Sequence, residues 1–244
     1  MSSIASSRHA DKMVTHPLKT SVSRTPARLD FLQSTSGFLL ALFLWVHLLL
    51  VSSILLGKEA MAFVAKMMEG AFLTPDGHGY PILVSITALG VFLLIVLHAV
   101  LAMRKLPGNW QQYGALKKQL GTIKHEDTSH WVVQAVTGFA IMFLVPAHLF
   151  TMFSVPETIG PDLSSQRIVA GDFWILYLPL LLVAELHATI GMYRLAVKWN
   201  VFPSKDPKKM RATLKKLKII LSAFFIIIGL ITLAAYIRIG LVLG

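Results

Sequence analysis

Five long apolar stretches, separated by shorter polar and charged segments, dominate the pattern of this chain. Each has roughly the 20 residues that an α-helix needs to cross the hydrocarbon core of a bilayer. The pattern predicts an all-α, polytopic membrane protein with five transmembrane helices, at about residues 29–56, 80–103, 129–153, 171–197 and 214–236. Five crossings place the two termini on opposite sides of the membrane.

The composition supports this interpretation and narrows the possible chemistry. Hydrophobic residues make up 55% of the 244 residues and charged residues 14%, and the mean hydropathy is +0.66, unlike an ordinary soluble domain. Cysteine is absent, which excludes disulfides, thiolate-held iron–sulfur clusters, cysteine zinc sites and CxxCH haem attachment. Any redox centre in this chain must therefore be held by histidine or without covalent bonds.

Lysine and arginine predict how the chain lies in the membrane. The net charge of +11 comes from residues between and beside the apolar stretches, so it does not indicate nucleic-acid binding. The first 28 residues and the second and fourth connections are rich in lysine and arginine, whereas the other two connections are richer in acids. By the positive-inside rule the N-terminus is cytoplasmic and the C-terminus faces outward, in the inner membrane. Residues 1–28 lack the apolar core of a signal peptide and are expected to form a flexible cytoplasmic arm ahead of a membrane domain at 29–244.

Four of the five apolar stretches each contain one histidine: His47, His98, His148 and His187. At a rise of about 1.5 Å per residue, His47 and His148 fall in the outer half of the membrane, and His98 and His187 in the inner half. A single such histidine can simply hold helices together through a hydrogen bond. Four are harder to explain in that way, because polar groups in hydrocarbon cost free energy.

A pair of histidines holds a b-type haem inside a helix bundle without any cysteine. The depths therefore predict two b haems in a four-helix bundle, with His47 paired to His148 and His98 paired to His187. The fifth helix has no histidine and should flank the bundle. The remaining histidines lie in the arm, in connections or at helix ends and are expected to be solvated: His9, His16, His78, His125 and His130.

Several strings carry a family resemblance: ARLDFLQSTSG, HAVLAMRK, DTSHWVVQAVTGFA, TIGPDLSSQR, AELHATIGMYRLAVKW and RATLKKLK. Through them the chain, after its arm, resembles the dihaem cytochrome b subunit of quinol:fumarate reductase and succinate:menaquinone reductase. The resemblance implies five helices and the same four histidines as axial haem ligands in the same pairs. It also implies menaquinone as redox partner, a flavoprotein subunit with FAD and an iron–sulfur subunit on the cytoplasmic side. A dimer of that heterotrimer is one assembly compatible with the resemblance.

Two glutamates are candidates for proton transfer. Glu185 lies two residues before His187, where a carboxyl group is either hydrogen-bonded to a polar neighbour or able to take up a proton as a redox centre gains an electron. The resemblance implies that Glu185 belongs to a transmembrane proton pathway coupled to haem reduction. Glu69, by its sequence alone, is a solvated loop acid, whereas the resemblance implies that it accepts protons from menaquinol near the outer haem.

The resemblance also assigns residues to the haem propionates. At the cytoplasmic helix ends it implies propionate contacts for Gln33, Ser34, Trp131 and Lys198. Trp131 could equally be an interfacial aromatic residue, and Lys198 a topological charge. Arg167 is expected near the outer haem. Glycines within the helices could permit close packing of helices or of porphyrin faces: Gly37, Gly90, Gly138 and Gly191.

The predicted function is that of a membrane anchor and electron-transfer subunit, which passes electrons between menaquinone near the outer face and the cytoplasmic iron–sulfur subunit. The sequence leaves the direction of turnover open. One alternative is the dihaem anchor of a hydrogenase or formate dehydrogenase, which would take electrons from a partner outside. A second alternative is a non-redox membrane protein, such as a transporter or scaffold, with packed histidines.

Overall fold

The computed structural model describes residues 23–122 and 126–243, and within these ranges the chain forms eight α-helices and no strand. Five of the helices are long and apolar enough to cross a membrane, which confirms the predicted all-α polytopic fold. They are α1 (Thr25–Val51), α3 (Ile82–Met103), α5 (Glu126–Ser154), α7 (Trp174–Lys198) and α8 (Pro207–Leu243). Residues 1–22, which form most of the predicted arm and include His9 and His16, lie outside the described residues, and so does His125.

The first and last spans differ most from their predicted bounds. After α1 the chain tightens into a 3-10 turn, Ser52–Leu56, in which the Ser52 and Ser53 hydroxyls donate to main-chain carbonyls at 2.7 Å. Helix α8 has 37 residues and is about 55 Å long, well beyond the roughly 30 Å hydrocarbon core. Its first turns are rich in lysine and arginine. The start predicted from hydropathy, at about residue 214, is therefore later than the observed start at Pro207.

Three shorter helices lie in the connections: α2 (Lys58–Met68), α4 (Trp110–Thr122) and α6 (Pro161–Ala170). Helices α2 and α6 form a cap at one end of the bundle, where an ion pair joins Lys58 to Asp162. Under this cap is a small buried apolar core of Ile54, Met61, Ala65, Ile168 and Tyr236. The connections at this end are therefore folded structure and do not act as free loops.

The histidine-bearing helices form a closed ring, because α1 contacts α3 and α7, and α5 contacts the same two helices. Helix α8 packs against α7 and α6 outside this ring, as expected for a flanking helix. A Cβ added at Gly240 would lie 2.5 Å from the main-chain oxygen of Ser165, so α8 and α6 approach closely. Large apolar side chains such as Phe143 and Ile231 are exposed on the surface of the bundle, as a lipid environment requires.

One end of the bundle is marked by a cluster of charges around Asp30. Its carboxylate accepts from Arg104 at 2.9 Å, Lys105 at 3.0 Å and Lys198 at 3.1 Å. These contacts tie the start of α1 to the ends of α3 and α7. This end is called the basic end below, and the end capped by α2 and α6 is called the far end.

Candidate functional site

The ring of α1, α3, α5 and α7 encloses a cavity of about 910 Å³. All four membrane histidines line it, and the walls between them are mainly aliphatic, with small residues such as Ala41, Ala88 and Ala99. This volume lies near the upper limit of about 1,000 Å³ for typical ligand pockets. The cavity therefore has room for a large, mostly apolar group.

The histidines face each other in two pairs. The ring centres of His47 and His148 are 6.1 Å apart, and those of His98 and His187 are 6.4 Å apart. Imidazole nitrogens bond a transition metal at about 2.0–2.1 Å, so two rings on opposite sides of one metal have centres roughly 6 Å apart. The structure thus brings together the same pairs that the depths predict, at a separation at which each pair could hold one metal ion.

Glycines provide space beside the pair at the basic end. A Cβ at Gly37 would lie 2.8 Å from Cε1 of His98, and a Cβ at Gly138 would lie 3.0 Å from Cε1 of His187. Gly191 makes room for the Gln134 side chain. At Gly90 an added Cβ would have no atom of the described residues within 4 Å. The predicted role in close packing therefore holds for Gly37, Gly138 and Gly191.

The basic end of the cavity is polar and cationic. Gln33, Ser34, Trp131 and Lys198 all line the cavity there, together with two further cations, Lys105 and Arg194. Within the described part of the chain, Oε1 of Gln33 is buried without a hydrogen-bond partner. Lysine, arginine and the amide nitrogen of glutamine can donate to carboxylates.

A second polar region lies at the far end. Arg167 of α6 lines the cavity and donates to the hydroxyls of Thr158 at 2.7 Å and Ser164 at 3.2 Å. Tyr177 and Tyr236 line the cavity as well. Among the described residues, Nε of Arg167 and the hydroxyl of Tyr236 have no hydrogen-bond partner although both are buried. A polar group of a ligand or an ordered water can satisfy such atoms beside a cavity. Nothing in the sequence singles out either tyrosine, because a tyrosine in a membrane helix carries no specific signal.

Glu185 of α7 is fully buried, next to Ala184, which lines the cavity. The indole nitrogen of Trp45 donates to its Oε2 at 3.1 Å, and the Trp45 ring stacks on Phe225 of α8 at 5.6 Å. Oε1 of Glu185 has no hydrogen-bond partner in the described ranges. Since Trp45 is two residues from His47 and Glu185 two from His187, the carboxyl group lies between the levels of the two pairs.

Glu69 follows α2 at the far end and is only 3% exposed. Its Oε2 accepts from Nζ of Lys66 at 2.7 Å, and its main-chain oxygen accepts from the Tyr80 amide at 2.6 Å. Its neighbour Met68 lines the cavity. The alternative of a solvated loop acid is therefore wrong, because Glu69 is buried at the far end, next to a residue that lines the cavity.

Known proteins similar to this chain are cytochrome subunits. Residues 111–229 match the family described as succinate dehydrogenase/fumarate reductase transmembrane subunit. The chain is 50% identical over 215 residues to the fumarate reductase cytochrome b subunit of Helicobacter pylori strain J99, covering 88% of this chain and 82% of that protein. It is 48% identical over 219 residues to the subunit of the same name from Wolinella succinogenes, covering 90% of this chain and 85% of that one.

The chain belongs to the fumarate reductase cytochrome b subunit family. Family membership confirms the predicted resemblance and makes this chain a membrane anchor subunit of the fumarate reductase type. The anchor of a hydrogenase or formate dehydrogenase is accordingly not favoured.

Of the five remaining histidines, the structure describes two, His78 and His130. His78 is exposed next to Asp76, as expected. His130 is less exposed than expected and is partly buried, because its Nε2 lies 2.6 Å from Nζ of Lys218 and its ring packs on Tyr193 at 5.5 Å. The cause is the long N-terminal part of α8, which reaches the start of α5.

Proposed function

We propose that this fumarate reductase anchor holds two b-type haems and links menaquinone near the far end to an iron–sulfur subunit at the basic end. The observation that carries the proposal is the two facing histidine pairs, 6.1 Å and 6.4 Å apart, in one apolar cavity. When bound, each haem supplies a one-electron iron couple. Such couples would pass single electrons between quinol at the far end and iron–sulfur clusters at the basic end.

The residues of the cavity suit this cofactor. His47 and His148 would hold the iron at the far end, and His98 and His187 the iron at the basic end. The propionates at the basic end would bind Gln33, Ser34, Trp131 and Lys198. Those at the far end would bind Arg167, and the hydroxyl of Tyr236, which has no partner among the described residues, adds a donor there.

Glu69 is the proposed proton acceptor for menaquinol. Oxidation of a quinol releases protons together with electrons, and a carboxylate within reach of the quinol hydroxyl can accept them. The half-exposed Lys66 donates to Glu69 at 2.7 Å and holds its side chain in place. The proposal predicts that Glu69→Gln abolishes menaquinol oxidation while both haems remain reducible by dithionite.

Glu185 is proposed to carry a proton across the membrane in parallel with the electrons. Electrons that move towards the basic end while quinol protons leave at the far end would separate charge across the membrane. Glu185 lies between the two histidine pairs and has an unpaired carboxyl oxygen among the described residues, so it can take part in a proton relay. Full quinol-linked turnover of a Glu185→Gln variant in sealed vesicles would contradict this role.

The partners are proposed from the charge and from the family. The basic end would face the cytoplasm, where an iron–sulfur subunit and an FAD-containing flavoprotein subunit would dock and carry out dicarboxylate chemistry. The same chain could serve fumarate reduction or succinate oxidation, since the quinone potential and the flavin subunit decide the direction.

A visible spectrum of the purified protein tests the haem proposal most directly. We expect two reducible b-type components and loss of one of them on replacement of a single histidine of either pair. No reducible absorption, or absorption that survives replacement of all four histidines, would favour a non-redox membrane protein. Copurification of a flavoprotein and an iron–sulfur protein tests the proposed complex.

A further inference from the structure

The Nδ1 nitrogens of the histidines distinguish the two pairs. At the basic end, Nδ1 of His98 lies 3.1 Å from the hydroxyl of Ser36. Nδ1 of His187 lies 3.0 Å from the main-chain oxygen of Gln134 and 3.3 Å from the hydroxyl of Thr137. In the far-end pair, Nδ1 of His148 is buried and has no hydrogen-bond partner within the part of the chain that the structure describes.

The hydrogen bonds at the basic end favour the same tautomer for both rings. A carbonyl oxygen can only accept, so Nδ1 of His187 must carry the hydrogen. The Ser36 hydroxyl donates to the Gln33 carbonyl at 3.1 Å, which leaves its oxygen to accept from Nδ1 of His98. The Thr137 hydroxyl donates in the same way to the Val133 carbonyl at 2.7 Å. Both Nε2 atoms therefore keep a lone pair for a metal.

The two hydroxyl residues belong to a short repeated unit. Ser36 is followed by Gly37 and Phe38 on α1, and Thr137 is followed by Gly138 and Phe139 on α5. In each unit the hydroxyl bonds one basic-end histidine, and the glycine makes room for the same ring. Ser36 is 3% exposed and Thr137 is 8% exposed, so these bonds lie in a low-dielectric environment that strengthens them.

We propose that Ser36 and Thr137 are positioning residues that orient His98 and His187 and lower the midpoint potential of the basic-end haem. This inference rests on the proposed haem function. An imidazole whose Nδ1–H bonds an acceptor donates more electron density through Nε2, which stabilises the ferric state. The cations Lys105, Arg194 and Lys198 act in the opposite sense, because positive charge favours the reduced state. The contribution of each hydroxyl is thus measured as the difference in midpoint potential between the unmodified protein and the variant that lacks the hydroxyl, since the cations are present in both.

Redox titration of the purified complex, followed by visible absorption and by low-spin EPR, tests the proposal. Ser36→Ala and Thr137→Val each remove a hydroxyl. We expect both to raise the midpoint potential of the same one of the two b-type components, to alter the EPR signal of that component, and to leave the other unchanged. Thr137→Ser retains the hydroxyl and should behave as the unmodified protein does.

Ser85→Ala is the matched control. Ser85 is a buried serine whose hydroxyl donates to the Phe153 carbonyl at 2.9 Å, remote from the basic end, so its removal should shift neither component. The proposal is wrong if Ser36→Ala and Thr137→Val leave both potentials unchanged, shift different components, or shift no more than Ser85→Ala does.

Loss of a haem can be interpreted as well. If Thr137→Val loses one haem and Thr137→Ser keeps both, the hydroxyl positions the ligand as proposed. If both variants lose that haem, the loss does not follow the hydroxyl and the proposal is wrong. An unmodified protein without reducible b-type absorption would overturn the proposed function itself. Two normal components with unmoved potentials would overturn only this inference.

Discussion

At the scale of single residues, glycine provides space that a flat cofactor would need beside the basic-end histidines. Alanine normally stabilises a helix by up to about 1 kcal/mol relative to glycine, so a loss caused by alanine reports a steric conflict. At Gly37 and Gly138 the added Cβ would lie 2.8 Å and 3.0 Å from a histidine ring atom. The rings of His98 and His187 can move away from the added Cβ only by breaking the hydrogen bonds at their Nδ1 atoms.

Gly37→Ala and Gly138→Ala are therefore expected to lower the haem content, with one b-type component reduced severalfold and the amount of membrane-inserted protein little changed. The haem-to-protein ratio of the purified complex measures this. Gly90→Ala is the control, since an added Cβ there meets no atom of the described residues within 4 Å. Equal haem content in all three variants would contradict the steric role of the two glycines.

The hydrogen bond from Trp45 to Glu185 predicts a stability effect at the same scale. Trp45→Phe retains a ring to stack on Phe225 but removes the donor of the 3.1 Å bond. A buried acceptor that loses its donor costs about 1–3 kcal/mol, so the thermal midpoint of the variant, followed by haem absorbance, should fall. Trp174→Phe replaces a tryptophan that is exposed at the start of α7 and should have a smaller effect. Equal midpoints for the two variants would show that the hydrogen bond contributes little.

At the scale of helices, the contact between α8 and α6 links the flanking helix to the cavity. Helix α6 carries Arg167, which lines the far end of the cavity, and α6 packs on α8 through Gly240. The histidine-free fifth span is thus more than a lipid-facing support, because it positions one of the cations of the site.

Gly240→Ala should consequently disturb the far end. Its Cβ would lie 2.5 Å from the main-chain oxygen of Ser165, and a helix backbone can yield only by moving as a whole. We expect destabilisation of about 1–3 kcal/mol, measured by thermal unfolding, together with slower menaquinol oxidation. At Gly229 the three atoms nearest to the added Cβ all belong to the Leu181 side chain, which can change rotamer, so Gly229→Ala should be milder. The reverse order of effects would argue against this role of α6.

At the scale of the whole molecule, the sequence predicts the spans and the histidine pairs well because both depend on local properties. Apolar length determines the helices, and the rise per residue determines the depth of each histidine. The hydrogen bond of Trp45 to Glu185, the approach of α6 to α8 and the position of Tyr236 depend on contacts between distant segments. No periodicity in the chain encodes these contacts. Likewise, the start of α8 at Pro207 is hidden from hydropathy because its first turns are charged.

The orientation of the molecule in the membrane is a prediction that the absence of cysteine makes simple to test. Because the chain has no cysteine, a single introduced thiol can be labelled without background. Lys117 is exposed on α4 at the basic end, and His78 is exposed at the far end.

By the positive-inside rule, a membrane-impermeant maleimide should label His78→Cys in intact spheroplasts and should leave Lys117→Cys unlabelled until the cells are lysed. Each variant serves as the control for the other, since both should react fully after lysis. The opposite pattern would place the basic end outside. Such a result would remove the proposed docking site for a cytoplasmic iron–sulfur subunit, while the histidine pairs would remain candidates for haem binding.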